Sequence, residues 1–223
     1  MRAKSDLLTS TRQKKPAGAG RRVTVRMTAA ERRAQVLSKA YDFFSEYGLT
    51  AQTRALADAC GVSQRLLYSL FPSKAALIQA VYESEIAGVF KAHWFVLLRN
   101  RDQPIEQRLN AFYADYYEAV LTRRWLRLFL YASLAEVEIA PTYISALITH
   151  LLETVVQEAC TEAGLRAPRD KALQHEIGWI LHGAISHLAI RRHIYHGEAL
   201  LDEKQVIALQ VRAFLHGLPS LLK

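Results

Sequence analysis

Thr53-Arg54-Ala55-Leu56-Ala57-Asp58-Ala59-Cys60-Gly61-Val62-Ser63-Gln64-Arg65-Leu66-Leu67-Tyr68-Ser69-Leu70-Phe71-Pro72 decides the fold. Thr53 has the chemistry of an N-cap for a short helix. Leu56, Ala57 and Cys60 then share one face, and Ala57 is small where a second helix must cross closely. Gly61 permits the positive φ of a tight interhelical turn. Val62 plugs that turn into the core, and Ser63 caps the second helix. Leu67 and Leu70 continue the buried face, Pro72 stops it, and Ser73 caps the next helix. The spacing predicts a helix-turn-helix. Many unrelated helical hairpins also match it, so its neighbours matter.

Upstream, Thr28-Ala29-Ala30-Glu31 fits a capping box, in which each end of the turn satisfies an orphan amide of the other. Val36, Leu37, Ala40, Tyr41, Phe44 and Tyr47 come after it at helical period, and Gly48 is placed to end the helix. Before this helix the charge is lopsided. Residues 1–27 carry eight Lys/Arg and one acid, a net +7, within a total of +8. Residues 28–75 carry +2 and residues 76–223 carry −1. Pro16, Gly18 and Gly20 and the lack of apolar pattern mark residues 1–26 as a disordered basic arm. Two readings of it stand side by side: a solvated leader, or an arm that binds polyanions.

The whole chain has 223 residues, 51% hydrophobic and 22% charged, which suits a globular protein with a sizeable core. Cys60 and Cys160 are the only cysteines and lie far apart, so a disulfide scaffold is excluded and a reducing, cytoplasmic setting is expected. No apolar run approaches the ~18 residues that span a bilayer. Val89–Leu98 is broken by Lys91 and His93. No apolar segment of secretory type comes after the basic N-terminus.

Gly61-Val62-Ser63, Leu67-Tyr68, Phe71-Pro72-Ser73-Lys74 and Leu77 together resemble the signature of TetR-family transcription regulators, over about residues 28–80. Beyond that span the likeness is one of architecture. The resemblance implies three short DNA-binding helices, a connecting helix, and a larger helical domain for ligand and dimer. It also implies that the Tyr68 hydroxyl reaches a backbone phosphate. The chain departs from the family where Gly-Thr is frequent, carrying Arg65 and Leu66, and after Tyr68, carrying Ser69 and Leu70. These positions bear on base preference rather than on fold.

A recognition helix points its N-terminal residues at base edges. Here those are Ser63, Gln64, Arg65 and Leu66. Gln suits adenine and Arg suits guanine, each by a bidentate pair. Leu66 suits a thymine methyl or the core. Thr53, Arg54 and Lys74, at neighbouring helix starts, are expected beside phosphates. A solvated helix face is the competing reading for Gln64 and Arg65, and a packing role for Tyr68.

The remainder reads as helices over 73–98, from Pro104 to about Val120, over 125–138, 142–163, 170–195 and 202–216. No strand alternation appears, so the expected class is all-α. The expected layout is a basic arm at 1–26, a helix-turn-helix DNA-binding domain at 27–75, and a helical effector-binding and dimerisation domain at 76–223. The 170–195 helix carries a stripe of Leu173, Ile177, Ile180, Leu181, Ala184 and Leu188, with small Gly178, Gly183, Ser186 and Ala189. It reads, with 202–216, as a homodimer interface; packing within one chain is the alternative. In the family these two helices form the dimer interface, and a two-fold dimer calls for a palindromic operator. Trp94, Phe112, Tyr116, Trp125, Phe129, Trp179 and His182 are candidates to line a pocket for an apolar or aromatic effector, against plain core.

Enzyme signatures fail. His175-Glu176-Ile177-Gly178-Trp179 opens like a zinc-binding HExxH but ends in Trp. No phosphate-binding glycine loop or nucleophile elbow is present. No metal or cofactor is expected. The sequence therefore reads as a cytoplasmic, homodimeric, ligand-released repressor of double-stranded DNA, coupled through the 73–98 helix. The alternative is a helical ligand-binding or assembly protein without specific DNA binding.

Overall fold

The computed structural model describes residues 27–88, 90–135 and 147–222. The basic arm at 1–26 and the predicted helix ends within 136–146 lie outside these. The described residues form ten α-helices and no strand. They are α1 (Ala29–Tyr47), α2 (Thr53–Cys60), α3 (Gln64–Leu70), α4 (Lys74–Val81), α5 (His93–Arg99), α6 (Ile105–Ala119), α7 (Arg123–Leu134), α8 (Thr149–Glu162), α9 (Lys171–His193) and α10 (Glu203–Leu221). Helices α1–α4 pack around one another, and α7 lies across α1. In the larger part α9 packs on α8, α10 and α6, while α5 sits on α6 and α8.

Local signals explain most helix starts. Thr28 and Glu31 form both bonds of the capping box, at 3.2 and 2.8 Å, which holds the Glu31 carboxyl below its ordinary pKa. Ser63, Ser73, Thr122, Asp170 and Asp202 cap α3, α4, α7, α9 and α10 by side-chain acceptance of a first-turn amide. Thr53 does not cap α2. Gln52 stands at that position with no side-chain cap bond, and Thr53 is already the first helical residue.

Three further expectations are corrected. The predicted helix over 73–98 is interrupted: α4 ends at Val81 and Tyr82–Ala87 form a π-helical turn. The Gly88 amide donates to Glu83 O, five residues back, where a Cβ on Gly88 would lie 2.4 Å from Ser84 O. Helix α5 then starts only at His93, with Trp94 anchored from α6 by Asp115 at 2.6 Å. Second, α10 runs to Leu221, past the predicted end at His216, with Pro219 inside its last turn. Third, Leu173 and Ile180 of the expected core stripe are 45% and 50% exposed. The small residues of α9 serve different ends. A Cβ on Gly178 would come within 2.7 Å of Leu152 Cβ, so this glycine lets α8 and α9 approach. Near Gly183 the closest such neighbour is Trp179 of the same helix, at 3.8 Å.

An ion network that periodicity did not reveal locks α5, α6 and α8. Arg108 of α6 is 1% exposed and donates to Leu98 O, Glu158 (3.1 Å) and Glu162 (2.9 Å). Arg101, from the α5–α6 loop, holds the same Glu158 through two bonds of 2.9 Å. Both arginines, Arg101 first, keep the Glu158 carboxyl below its usual range.

Candidate nucleic-acid interface and apolar cavity

The turn between α2 and α3 is built on Gly61, whose φ of +69° is the left-handed region that glycine enters without Cβ strain. The amides of Gly61 and Val62 return to Asp58 O and Ala57 O, each at 3.0 Å. Leu56, Ala57 and Cys60 of α2 are buried, as is Leu67 of α3. The Cys60 thiol points at Val36 O, 3.8 Å away, and burial raises its pKa. This packing fixes the orientation of α3 and sends its other face outward.

On that outer face Gln64 and Arg65 are exposed, Leu66 is 38% exposed and Tyr68 is 45% exposed. Ser63 is occupied as the cap, accepting from the Leu66 amide at 3.2 Å. Leu66 thus stands in the outward row and is not a core residue. The Tyr68 hydroxyl lies 3.5 Å from Thr53 Oγ1, which brings the start of α2 against α3, with Arg54 exposed beside it. Lys74 is different. Its ammonium donates to Ala51 O at 2.6 Å, and partial burial lowers its pKa. It ties the α1–α2 loop to the start of α4. Arg33 of α1, which the sequence did not single out, also reaches this end of α3: it donates to Leu70 O at 2.7 Å and lies 4.1 Å over the Phe71 ring.

The aromatic candidates divide in two. Tyr116, Trp125, Phe129, Trp179 and His182 line one cavity of about 120 Å³, completed by Ser186 of α9 and by aliphatic side chains that include Leu121, just before α7, and Ile148. Trp94 and Phe112 stand behind Tyr116, with ring centroids 5.4 and 5.6 Å from it, and belong to the packed core. Trp125 and Phe129 stack at 4.7 Å with planes 12° apart. His182 is 3% exposed, and burial lowers its pKa to about 4. No group of three or more His, Cys, Asp or Glu suited to a metal occurs among the described residues.

The opposite face of α7 grips α1. Arg123 pairs with Glu46, and Arg124 pairs with Asp42 at 2.9 Å while lying 3.8 Å over the Tyr41 ring. Arg127 donates to Ser45 O and, at 2.8 Å, to Glu46 O. These are carbonyls at the C-terminal end of α1, which has no basic residue in its own last turn. Cations there satisfy orphan carbonyls and the negative end of the helix dipole. One helix thus borders the cavity on one side and closes the end of α1 on the other.

Residues 36–81 match the family model for bacterial regulatory proteins of the tetR family. No curated protein matches the chain. Solved structures match over most of its length. One, described as a TetR-family transcriptional regulator from Mesorhizobium loti, is 16% identical, with 86% of this chain and 98% of that one covered at a TM-score of 0.62. A TetR-like transcriptional regulator from Rhodococcus is 20% identical, with 86% and 97% covered at 0.58. The fatty acid degradation regulator FadR from Bacillus halodurans is 14% identical, with 82% and 94% covered at 0.60. At these identities the likeness is one of fold. No helix among the described residues is long and apolar enough to cross a membrane.

Proposed function

We propose that the chain, whose residues 36–81 match the family model for bacterial regulatory proteins of the tetR family, is a dimeric, ligand-responsive repressor that binds a palindromic operator through that segment. The observation that carries this is the outward row Gln64, Arg65, Leu66 and Tyr68 on a helix whose other face is buried. Arg65 and Gln64 read base edges, and Arg54, Thr53 and Tyr68 meet the phosphates that flank them. Lys74 braces the loop before α2 and contributes charge rather than a base contact.

The dimer uses α9 and α10. Ile180 and Leu221, 50% and 40% exposed, border an apolar groove between these helices, with Leu173 and Leu209 exposed beside it. A single recognition helix reads too few base pairs for a genomic address, which a two-fold pair corrects. Selection from random DNA with the full chain tests the reading. The expected consensus is an inverted repeat. A single unpaired half-site overturns the dimer. The absence of any discrete complex above non-specific binding favours a helical ligand-binding or assembly protein instead.

A mostly apolar molecule in the cavity releases the operator. The π-helical break after α4 makes a rigid 73–98 rod unavailable, whereas α7 joins cavity and α1 directly. Coupling therefore runs through Trp125 and Phe129 on one face of α7 and Arg124 and Arg127 on the other. Couplings between sites are worth about 1–3 kcal/mol, or roughly 5–150-fold in affinity. Arg127→Ala is expected to keep ligand and operator binding but lose most of the ligand's effect on operator affinity. Titrations with and without ligand measure this; an undiminished effect places the route elsewhere.

A further inference from the structure

We propose that Arg33 of α1 is a positioning residue for the recognition helix: it holds the C-terminal end of α3 at the tilt that lets Gln64 and Arg65 meet base edges. The proposal rests on the reading of α3 as the element that enters the major groove.

Within α3 the packing that turns one face outward rests on a single buried residue, Leu67, in a helix of seven. Its tilt therefore depends on what grips its ends. The N-terminal end is fixed by the Gly61 turn and by Ser63, which accepts from the Leu66 amide. The C-terminal end is fixed by Phe71, which is 1% exposed and sits in extended backbone just past the helix. A helix of this length measures roughly 10 Å, so a shift of about 2 Å at one end tilts it by roughly ten degrees and carries the tip of a long side chain off by about 1 Å. Hydrogen bonds tolerate about half of that, so a bidentate base contact is lost.

Arg33 meets the C-terminal end from outside the helix. Its guanidinium donates to Leu70 O at 2.7 Å and lies 4.1 Å from the centroid of the Phe71 ring. The first contact answers a last-turn carbonyl that has no intrahelical partner. The second sets a cation on the ring that anchors this end. Helix α3 supplies neither for itself: it has no basic residue in its last turn, and Pro72 has no amide to donate back. The side chain also springs from firm ground. Val36, Ala40 and Phe44 of α1 are 0% exposed, so the helix that carries Arg33 is packed into the core. A side chain held by two contacts on a packed helix is suited to fix the pose of a short neighbour.

The test uses the full chain, the operator obtained by selection and a scrambled duplex of the same length, titrated over a series of salt concentrations. Arg33→Ala is expected to weaken operator binding about ten-fold per half-site, the scale of one mismatched base pair. Binding of the scrambled duplex should stay within about two-fold, with the salt slope unchanged. Arg33→Lys, whose ammonium still has donors for Leu70 O, should recover part of the loss. In an Arg65→Ala background, Arg33→Ala should cost no more than about three-fold, since the contact it aims is already gone. If Arg33→Ala does not fold, Arg33→Met, which keeps an apolar stem and removes the donor, is judged by the same outcomes. A loss shared equally by both duplexes, with the slope flatter by ~0.9 per subunit, makes Arg33 a phosphate contact and overturns the proposal. An unchanged operator affinity overturns it too, as does full additivity with Arg65→Ala. Arg65→Ala with an unchanged ratio of operator to scrambled affinity overturns the groove reading and this role with it. A lost ratio for Arg65→Ala beside an intact one for Arg33→Ala overturns the positioning role alone.

Discussion

Arg108→Ala is expected to destabilise the protein by about 3–5 kcal/mol, because removing one partner of a buried ion pair strands the other. Glu158 is 8% exposed at its side chain and would keep only Arg101, whose own side chain is 62% exposed. The freed Leu98 carbonyl adds an unmet acceptor. Denaturant unfolding of the two chains measures the difference. Arg101→Ala is the control, expected to cost less, since its charge sits largely in water. A loss under 1 kcal/mol for Arg108→Ala would mean the network is stabilised by something other than charge pairing. The pH dependence has a definite sign. The folded Glu158 pKa is depressed, so its contribution is complete above the unfolded carboxylate value of about 4.3 and fades as pH falls through the folded value. Arg108→Ala should therefore narrow its deficit in acid.

Arg65→Ala is expected to lower affinity for the selected operator by about 1–3 kcal/mol per half-site and to relax preference at one base position in each. The salt dependence should barely change, because a base-edge contact displaces few counterions. Deleting residues 1–26 should do the reverse if the arm touches phosphates: all DNA is bound more weakly, the specific-to-non-specific ratio holds, and the salt slope flattens by ~0.9 for each phosphate no longer neutralised. Its effect should be smaller than eight basic residues suggest, since ordering a long arm carries an entropy cost. An Arg65→Ala variant that instead behaves like a phosphate contact would place α3 outside the major groove. An arm deletion without effect makes residues 1–26 a passive leader.

Sequence legibility tracks how local each determinant is. Caps such as Thr28 and Ser63, and the φ of Gly61, depend on a few neighbours, and these were readable. The helix break after Val81 was not, because no Pro or capping residue marks it and the π-helical turn that replaces the α-helix packs against α4 and α7. Trp94 and Phe112 could not be told from Trp125 and Phe129. All four sit on apolar faces, and only the tertiary packing decides which face meets filled or unfilled space. Arg108, Arg124 and Arg127 looked like ordinary charged positions on amphipathic helices. Their roles depend on partners 50 or more residues away, at Glu158, Ser38 and Ser45.

Arg127 also bears on modularity. A helix-turn-helix unit is easily pictured as an interchangeable reading head, detachable at the boundary near residue 75. Here the head is unfinished at that boundary, since the end of α1 is completed by a guanidinium supplied from beyond residue 120. A chimera joining residues 27–75 to a foreign domain would inherit the side chains proposed to read bases and an open helix end. Only donors that offer a cation at the same level would make a sound graft, so compatibility between heads and bodies is set by this seam as much as by the linker.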